Sequence, residues 1–213
     1  MRTPHFLDHL ITEIDTALRT LLPPPKRTSS RPSPAAQMNN VPLSSNEKKH
    51  VAGLMRVNHA GEVCAQALYQ GQALTAQLAH VKEQMTQAAI EETDHLAWCE
   101  ERLSELGSKP SLLNPLWYCG SLFLGAIAGL AGDKISLGFV AETERQVTAH
   151  LKKHVEGLPD KDEQSRSILQ QMQADEEHHA AMALDAGAAE LPYPVKQLMS
   201  IVSKLMTKSS YYI

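Results

Sequence analysis

Two short stretches, Glu92-Thr93-Asp94-His95 and Glu176-Glu177-His178-His179, each set a carboxylate three positions before an imidazole in sequence that reads as helix. Three residues turn an α-helix by about 300°, so the Glu and His of each stretch project from one face, within about 60° of each other. Such a face can chelate a metal ion. One copy would carry little information, because Glu and His are ordinary helix residues. Two copies, each preceded by a lone acid, are much rarer: Glu62 stands thirty positions before Glu92 and Glu144 thirty-two before Glu176. Four helices carrying Glu, Glu-x-x-His, Glu and Glu-x-x-His form the ligand set of a di-iron carboxylate bundle.

Apolar neighbours surround both copies. Ala88, Ala89, Ile90, Leu96, Ala97 and Trp98 flank Glu92 and His95, and Ala180, Ala181 and Leu184 flank Glu176 and His179. Polar groups in such company are candidates for burial, which is costly without a partner or a metal. Other registers compete: Asp175 with His178 has the same spacing, Glu91 rivals Glu92, and Glu142 rivals Glu144. Glu176 with His179 keeps a Glu in both copies, and Glu144 gives the closer match between the two halves. Carboxylate oxygen with imidazole nitrogen and no thiolate suits iron or manganese better than a soft-ligand metal, and iron is the expected ion. His59 and His150 lie near the nominated acids and are read as hydrogen-bonding support or proton delivery, as are Tyr69, Arg56 and Asp94. His5, His9, His50, His80 and His154 are assigned to solvent.

The rest of the chain favours an all-α fold. With 11 Gly in 213 residues and 5% aromatics, and with abundant Ala, Leu, Gln, Glu and Met, helix is preferred over sheet. A formal charge of −4 gives no global attraction to nucleic acid, and Lys26-Arg27, Lys48-Lys49 and Lys152-Lys153 read as solvated surface. Cys64, Cys99 and Cys119 are odd in number and lack Cys-x-x-Cys spacing, which argues against a disulfide framework and a structural zinc site and fits a reducing cytoplasm. No apolar run lies between a basic start and a small-residue cleavage site, so no signal peptide is expected.

Three segments follow from the punctuation. Phe6, Leu7, Leu10, Ile11, Ile14, Leu18 and Leu21 recur at helical spacing, so residues 1–22 hold an amphipathic helix. Residues 23–43, with Pro23-Pro24-Pro25, Pro32, Pro34 and Pro42, form a linker that cannot continue a helix or supply a core. Residues 44–213 form the bundle, opened by a capping box at Ser44-x-x-Glu47. Its helices are expected at 44–79, 81–106, 115–155 and 160–186, followed by a last amphipathic helix through Val195, Leu198, Met199, Val202, Leu205 and Met206.

Arg56-Val57-Asn58-His59-Ala60-Gly61-Glu62, Tyr69-Gln70-Gly71-Gln72, Glu92-Thr93-Asp94-His95-Leu96, Pro115-Leu116-Trp117, Glu144 with His150, and Glu176-x-x-His179 occur in that order. In these motifs the chain resembles the demethoxyubiquinone hydroxylases of ubiquinone biosynthesis, from about residue 44 to the C-terminus. The resemblance implies a ferritin-like di-iron monooxygenase. Its expected reaction is hydroxylation with O2 of the ring of demethoxyubiquinol, a 2-polyprenyl-3-methyl-6-methoxy-1,4-benzoquinol, with electrons from a reduced nicotinamide or the quinol. It also implies Glu62, Glu92, His95, Glu144, Glu176 and His179 as ligands of two iron ions, and matches His150 to a family histidine near the site. Two departures stand out: Asn58 replaces an Asp of some members, and the first forty-odd residues have no matched counterpart.

A polyprenylated quinol is almost insoluble in water, so a peripheral position on the cytoplasmic side of the cell membrane is expected. Leu116, Leu122, Phe123, Leu124, Ile127 and Leu130 are more apolar than an internal stripe requires, and Gly120, Gly125, Gly129 and Gly132 permit close approach of another surface. That surface is lipid, a neighbouring helix or a second copy in a homo-oligomer. Other ubiquinone-biosynthesis proteins are further expected partners. Competing readings are a ferroxidase or rubrerythrin-like peroxidase on the same fold, and a helical scaffold in which Glu and His merely pair with each other.

Overall fold

Ser44 opens the first long helix with both halves of the capping box: its hydroxyl accepts from Glu47 N at 3.3 Å, and Glu47 Oε2 accepts from Ser44 N at 2.7 Å. In this computed structural model, which describes residues 6–22, 27–39 and 41–213, the described residues are helical or irregular, with no strand. The helices are α1 (Phe6–Leu21), α2 (Ser45–Thr75), α3 (Ala79–Glu105), α4 (Asn114–Leu130), α5 (Asp133–Gly157), α6 (Glu163–Asp185) and α7 (Tyr193–Tyr212). Helices α2, α3, α5 and α6 form the bundle. Helix α4 lies across α2 as the crossover between its halves, α1 touches α2 and α4, and α7 covers the far end of α2. The fold is all-α and ferritin-like in arrangement, with the added helices at both ends.

The single helix expected over 115–155 is two helices. Gly132, at φ +109°, breaks it, a conformation open to glycine and strained for other residues. The next residue explains why the break holds: the Asp133 carboxylate accepts from Gln77 N at 3.0 Å and Leu78 N at 2.9 Å, tying the start of α5 to the loop between α2 and α3.

Helices α2 and α4 cross at backbone contact. A methyl group on Gly71 would collide with Leu122 O, one on Gly125 with Leu68 O, and one on Gly129 with the Thr75 hydroxyl. Gly125 and Gly129 therefore serve helix packing within the chain, whereas Gly120 faces open space. The outer face of α4 keeps Leu116, Phe123, Leu124, Ile127 and Leu130 exposed. Among the described residues, no helix is long and apolar enough to cross a membrane.

Residues 27–39 do not behave as a free linker. Ala35 is buried in the cluster of Met55, Trp98, Leu103, Leu151 and Met172, so the segment does contribute to the core. Arg27, expected in solvent, donates to Glu100 at 2.9 Å with its side chain 8% exposed. A second apolar cluster, of Tyr69, Val81, Met85, Leu137, Val140 and Ala183, occupies the other end of the bundle. Along each bundle helix the nominated acids and histidines fall between these two clusters.

The crossing sets a paired test. Gly125→Ala is expected to destabilise the fold by about 1–3 kcal/mol because the backbones must separate. Gly120→Ala should be neutral or stabilising by up to about 1 kcal/mol through helix propensity. Urea unfolding of the two variants beside wild type checks the contrast, and equal effects would contradict the packing described.

Candidate metal centre

Helix α2 supplies Glu62, α3 supplies Glu92 and His95, α5 supplies Glu144, and α6 supplies Glu176 and His179; none is more than 2% exposed. Both imidazoles turn Nδ1 inward. His95 Nδ1 lies 2.9 Å from Glu92 Oε2, 3.2 Å from Glu176 Oε1 and 3.5 Å from Glu62 Oε2. His179 Nδ1 lies 3.1 Å from Glu176 Oε2 and 3.2 Å from Glu92 Oε1. Glu92 and Glu176 thus stand between the two rings. One donor atom from each of Glu62, Glu92, His95 and Glu176 falls within 4.8 Å of the others. Glu144 enters from the α5 side, where its carboxylate accepts from the Tyr69 hydroxyl and feels the charges of Glu176 and Glu92.

The outer nitrogens show what the sequence reading assigned to rival ligands. His95 Nε2 meets Asp175 Oδ2 at 2.9 Å, and His179 Nε2 meets Glu91 Oε2 at 2.8 Å. Each acid immediately precedes a cluster Glu on its own helix and reaches the histidine of the opposite helix. An Nε2–H donated outward fixes the tautomer and ring plane and leaves the Nδ1 lone pair for a metal.

The cluster is rich in acceptors and poor in donors. Four buried carboxylates face two imidazoles and one phenol. Positive charge must come from protons or metal ions. Burial, together with the charge of Glu92, holds the Glu62 carboxyl well above the usual carboxylate range, and burial with Glu176 and Glu92 does the same to Glu144. Burial alone would lower both imidazoles, but hydrogen bonds to Glu176 and Glu92 outweigh it at His179, pushed up to about 12, and the charge of Glu92 leads the same reversal at His95. Glu92, opposed by burial, is drawn well below its ordinary value by His95 and His179. In metal-free protein these shifts favour the protonated forms of Glu62, Glu144, His95 and His179, and a pair of divalent ions would supply the positive charge that those protons bring. The residues fit such a pair, and the hard oxygen and imidazole donors suit iron.

Other residues singled out from the sequence lie elsewhere. His150 follows Glu144 by six residues, about 240° further round the helix, and its ring stacks on His154 at 6.4 Å between centroids rather than entering the cluster. His154 is not a solvent group: it contacts Asn58 Oδ1 at 2.8 Å, and burial pushes it down to about 4. His50 likewise bonds Tyr211 Oη and Gly157 O. His59 is buried between Glu100 and Asn114. Arg56 binds Ser108, Lys109 O and Tyr211 O, which secures the C-terminus rather than the cluster. Asp94 holds Ser30 and Arg31 of the N-terminal segment. His178 points to solvent, and Glu142 pairs with Gln146. His5 and the side chains of His9 and His80 lie outside the described residues.

A helical bundle with buried carboxylates and imidazoles at its centre defines a ferritin-like protein. The fold is shared with a solved structure, the dodecameric thioferritin, a bacterioferritin-related protein of Bacteroides fragilis: TM-score 0.55 at 21% identity, over 65% of this chain and 84% of that one. Residues 49–210 match the family of the ubiquinone biosynthesis protein COQ7, and the chain belongs to that family. It is 72% identical over 213 residues, all of both chains, to the 3-demethoxyubiquinol 3-hydroxylase of Legionella pneumophila strain Paris. It is 61% identical over 207 residues, 97% of each chain, to the 3-demethoxyubiquinol 3-hydroxylase of Acinetobacter baylyi.

Iron uptake is expected to release protons. Folded-state values raised at Glu62, Glu144, His95 and His179 mean that metal-free folded protein binds more protons than unfolded chain, from about pH 4.5 upward at the acids and about pH 6.5 upward at the imidazoles, so these groups lose stabilising effect as pH rises. Metal binding displaces those protons, so the rise in melting temperature on adding iron(II) should grow as pH rises. Calorimetric titration in buffers of different ionisation enthalpy, with melting curves at each pH, measures both; no proton release and a pH-independent increment would contradict the described protonation.

Proposed function

We propose that this chain hydroxylates the ring of 3-demethoxyubiquinol in ubiquinone biosynthesis, at an iron pair held by Glu62, Glu92, His95, Glu144, Glu176 and His179. Dioxygen is the co-substrate, and the electrons come from a reduced nicotinamide or from the quinol. The single observation that supports this most is the buried cluster of four acids and two imidazoles in a member of the COQ7 family whose full-length relatives carry that enzyme name. Bound iron would supply the redox chemistry that activates dioxygen.

The protein's own groups do the remaining work. His95 and His179 present Nδ1 inward because Asp175 and Glu91 hold Nε2. Tyr69 donates to Glu144 and orients that carboxylate. A small cavity lined by Tyr69, Met85, Ala88, Leu137, Val140 and His179 adjoins the cluster, and its apolar walls keep water from the reacting groups. Its position beside His179 suits the entry of a small apolar reactant.

Glu176→Ala and His179→Ala are expected to lower bound iron from about two to one or fewer per chain, with hydroxylation falling at least about 100-fold. Metal analysis with quinone extraction checks both: cells with either variant should accumulate the demethoxy intermediate. Full iron and unchanged quinone in both variants would refute the assignment.

The substrate's polyprenyl tail supports a reaction at the cytoplasmic membrane surface, with the exposed Leu116, Phe123, Ile127 and Leu130 of α4 and the exposed Leu7, Ile11, Ile14 and Leu18 of α1 as candidate contacts. Phe123→Asp should reduce co-flotation with lipid vesicles several-fold while leaving bound iron unchanged. Wild type that fails to float, or a variant that floats equally well, would remove the membrane contact.

A further inference from the structure

The segment ahead of the bundle reaches the cluster through one side chain. Arg31 Nε lies 3.0 Å from Asp94 Oδ2, and its Nη2 lies 2.9 Å from Asp175 Oδ2. That same Asp175 oxygen is 2.9 Å from His95 Nε2, whose Nδ1 faces Glu92, Glu176 and Glu62. The guanidinium sits 5.0 Å from the centroid of the Trp98 ring, and Trp98 Nε1 donates to Arg31 O at 3.3 Å, so backbone and head are both fixed. Gln171 holds the other Asp175 oxygen at 3.0 Å, which leaves Arg31 as the cation on this carboxylate opposite His95. The charge of Arg31 also acts on Glu91, the outer partner of His179.

We propose that Arg31 is a positioning residue of the iron centre: it pins Asp175, Asp175 pins the His95 ring, and residues 27–39 thereby form part of the site rather than a tether. An arginine suits this place because its planar fork serves two carboxylates at once, which a lysine ammonium on a flexible stem does less well. The second clamp of the segment, Arg27 on Glu100, leads to His59 and not to the cluster. It supplies the internal control.

The proposal rests on the iron reading for its consequence and on metal-free geometry for its cause, so two readouts are taken on full-length protein. Histidine-labelled NMR of the metal-free chain should show a persistent His95 Nε2–H resonance in wild type and Arg27→Met, broadened or lost in Arg31→Met and intermediate in Arg31→Lys. Titration with cobalt(II) alone should show affinity about 10-fold weaker in Arg31→Met and Asp175→Asn, with altered visible bands and no further loss in the double variant. Arg27→Met should bind as wild type does. Arg31→Met indistinguishable from wild type, or Arg27→Met and Arg31→Met equally impaired, would overturn the proposal. Should Arg31→Met fail to fold, the Arg31→Lys resonance and affinity decide it, wild-type values counting against. Wild type that takes up no cobalt counts against the iron reading, while the resonance still decides the role of Arg31.

Discussion

Four acids buried at the centre of an apolar bundle are the constraint from which the rest of this structure follows. A lone ionised carboxylate moved out of water costs several kcal/mol after relaxation, and Glu62, Glu92, Glu144 and Glu176 share one small volume. They are tolerable there only with positive charge among them. The raised values of His95, His179, Glu62 and Glu144 favour protons that bring it, and a pair of iron ions would provide it without those protons. Removing one acid alone leaves the others and their donors mismatched, so the six residues act as a unit.

The surrounding architecture holds that unit in place. Apolar clusters close both ends, one around Trp98 and Met172 and one around Tyr69 and Leu137. Gly71 and Gly125 let α4 lie directly on α2, and the Asp133 carboxylate fixes the loop between α2 and α3 where α5 begins. Asp175 and Glu91 then steer each histidine from the neighbouring helix. The N-terminal segment adds Arg31 to the outside of this network.

The cluster was legible in the sequence because helix periodicity is local: a three-residue spacing fixes the face of Glu92 with His95 and of Glu176 with His179 whatever the helices pack against. The outer carboxylates were not. Asp175 and Glu91 look like rivals of the acids that follow them, since one residue rotates the side chain by about 100° and only the position of the opposite helix shows which way inward lies. His150 misled for the same reason, six residues being a poor multiple of the helical turn. The break at Gly132 hid in an apolar run whose composition favours helix throughout. Residues 27–39 read as a linker because proline and serine carry no periodic signal, while their binding depends on long-range pairs such as Arg31 with Asp175. The family motifs supplied what periodicity could not, the identity of the reaction.

Anomalous diffraction at the iron edge, from crystals of chain loaded anaerobically with iron(II), tests the central claim most directly. Two peaks are expected within the cluster, both contacted by Glu92 and Glu176, with His95 and His179 meeting them through Nδ1. Peaks only at the surface, or an empty cluster with its carboxylates still paired to imidazoles, would contradict it.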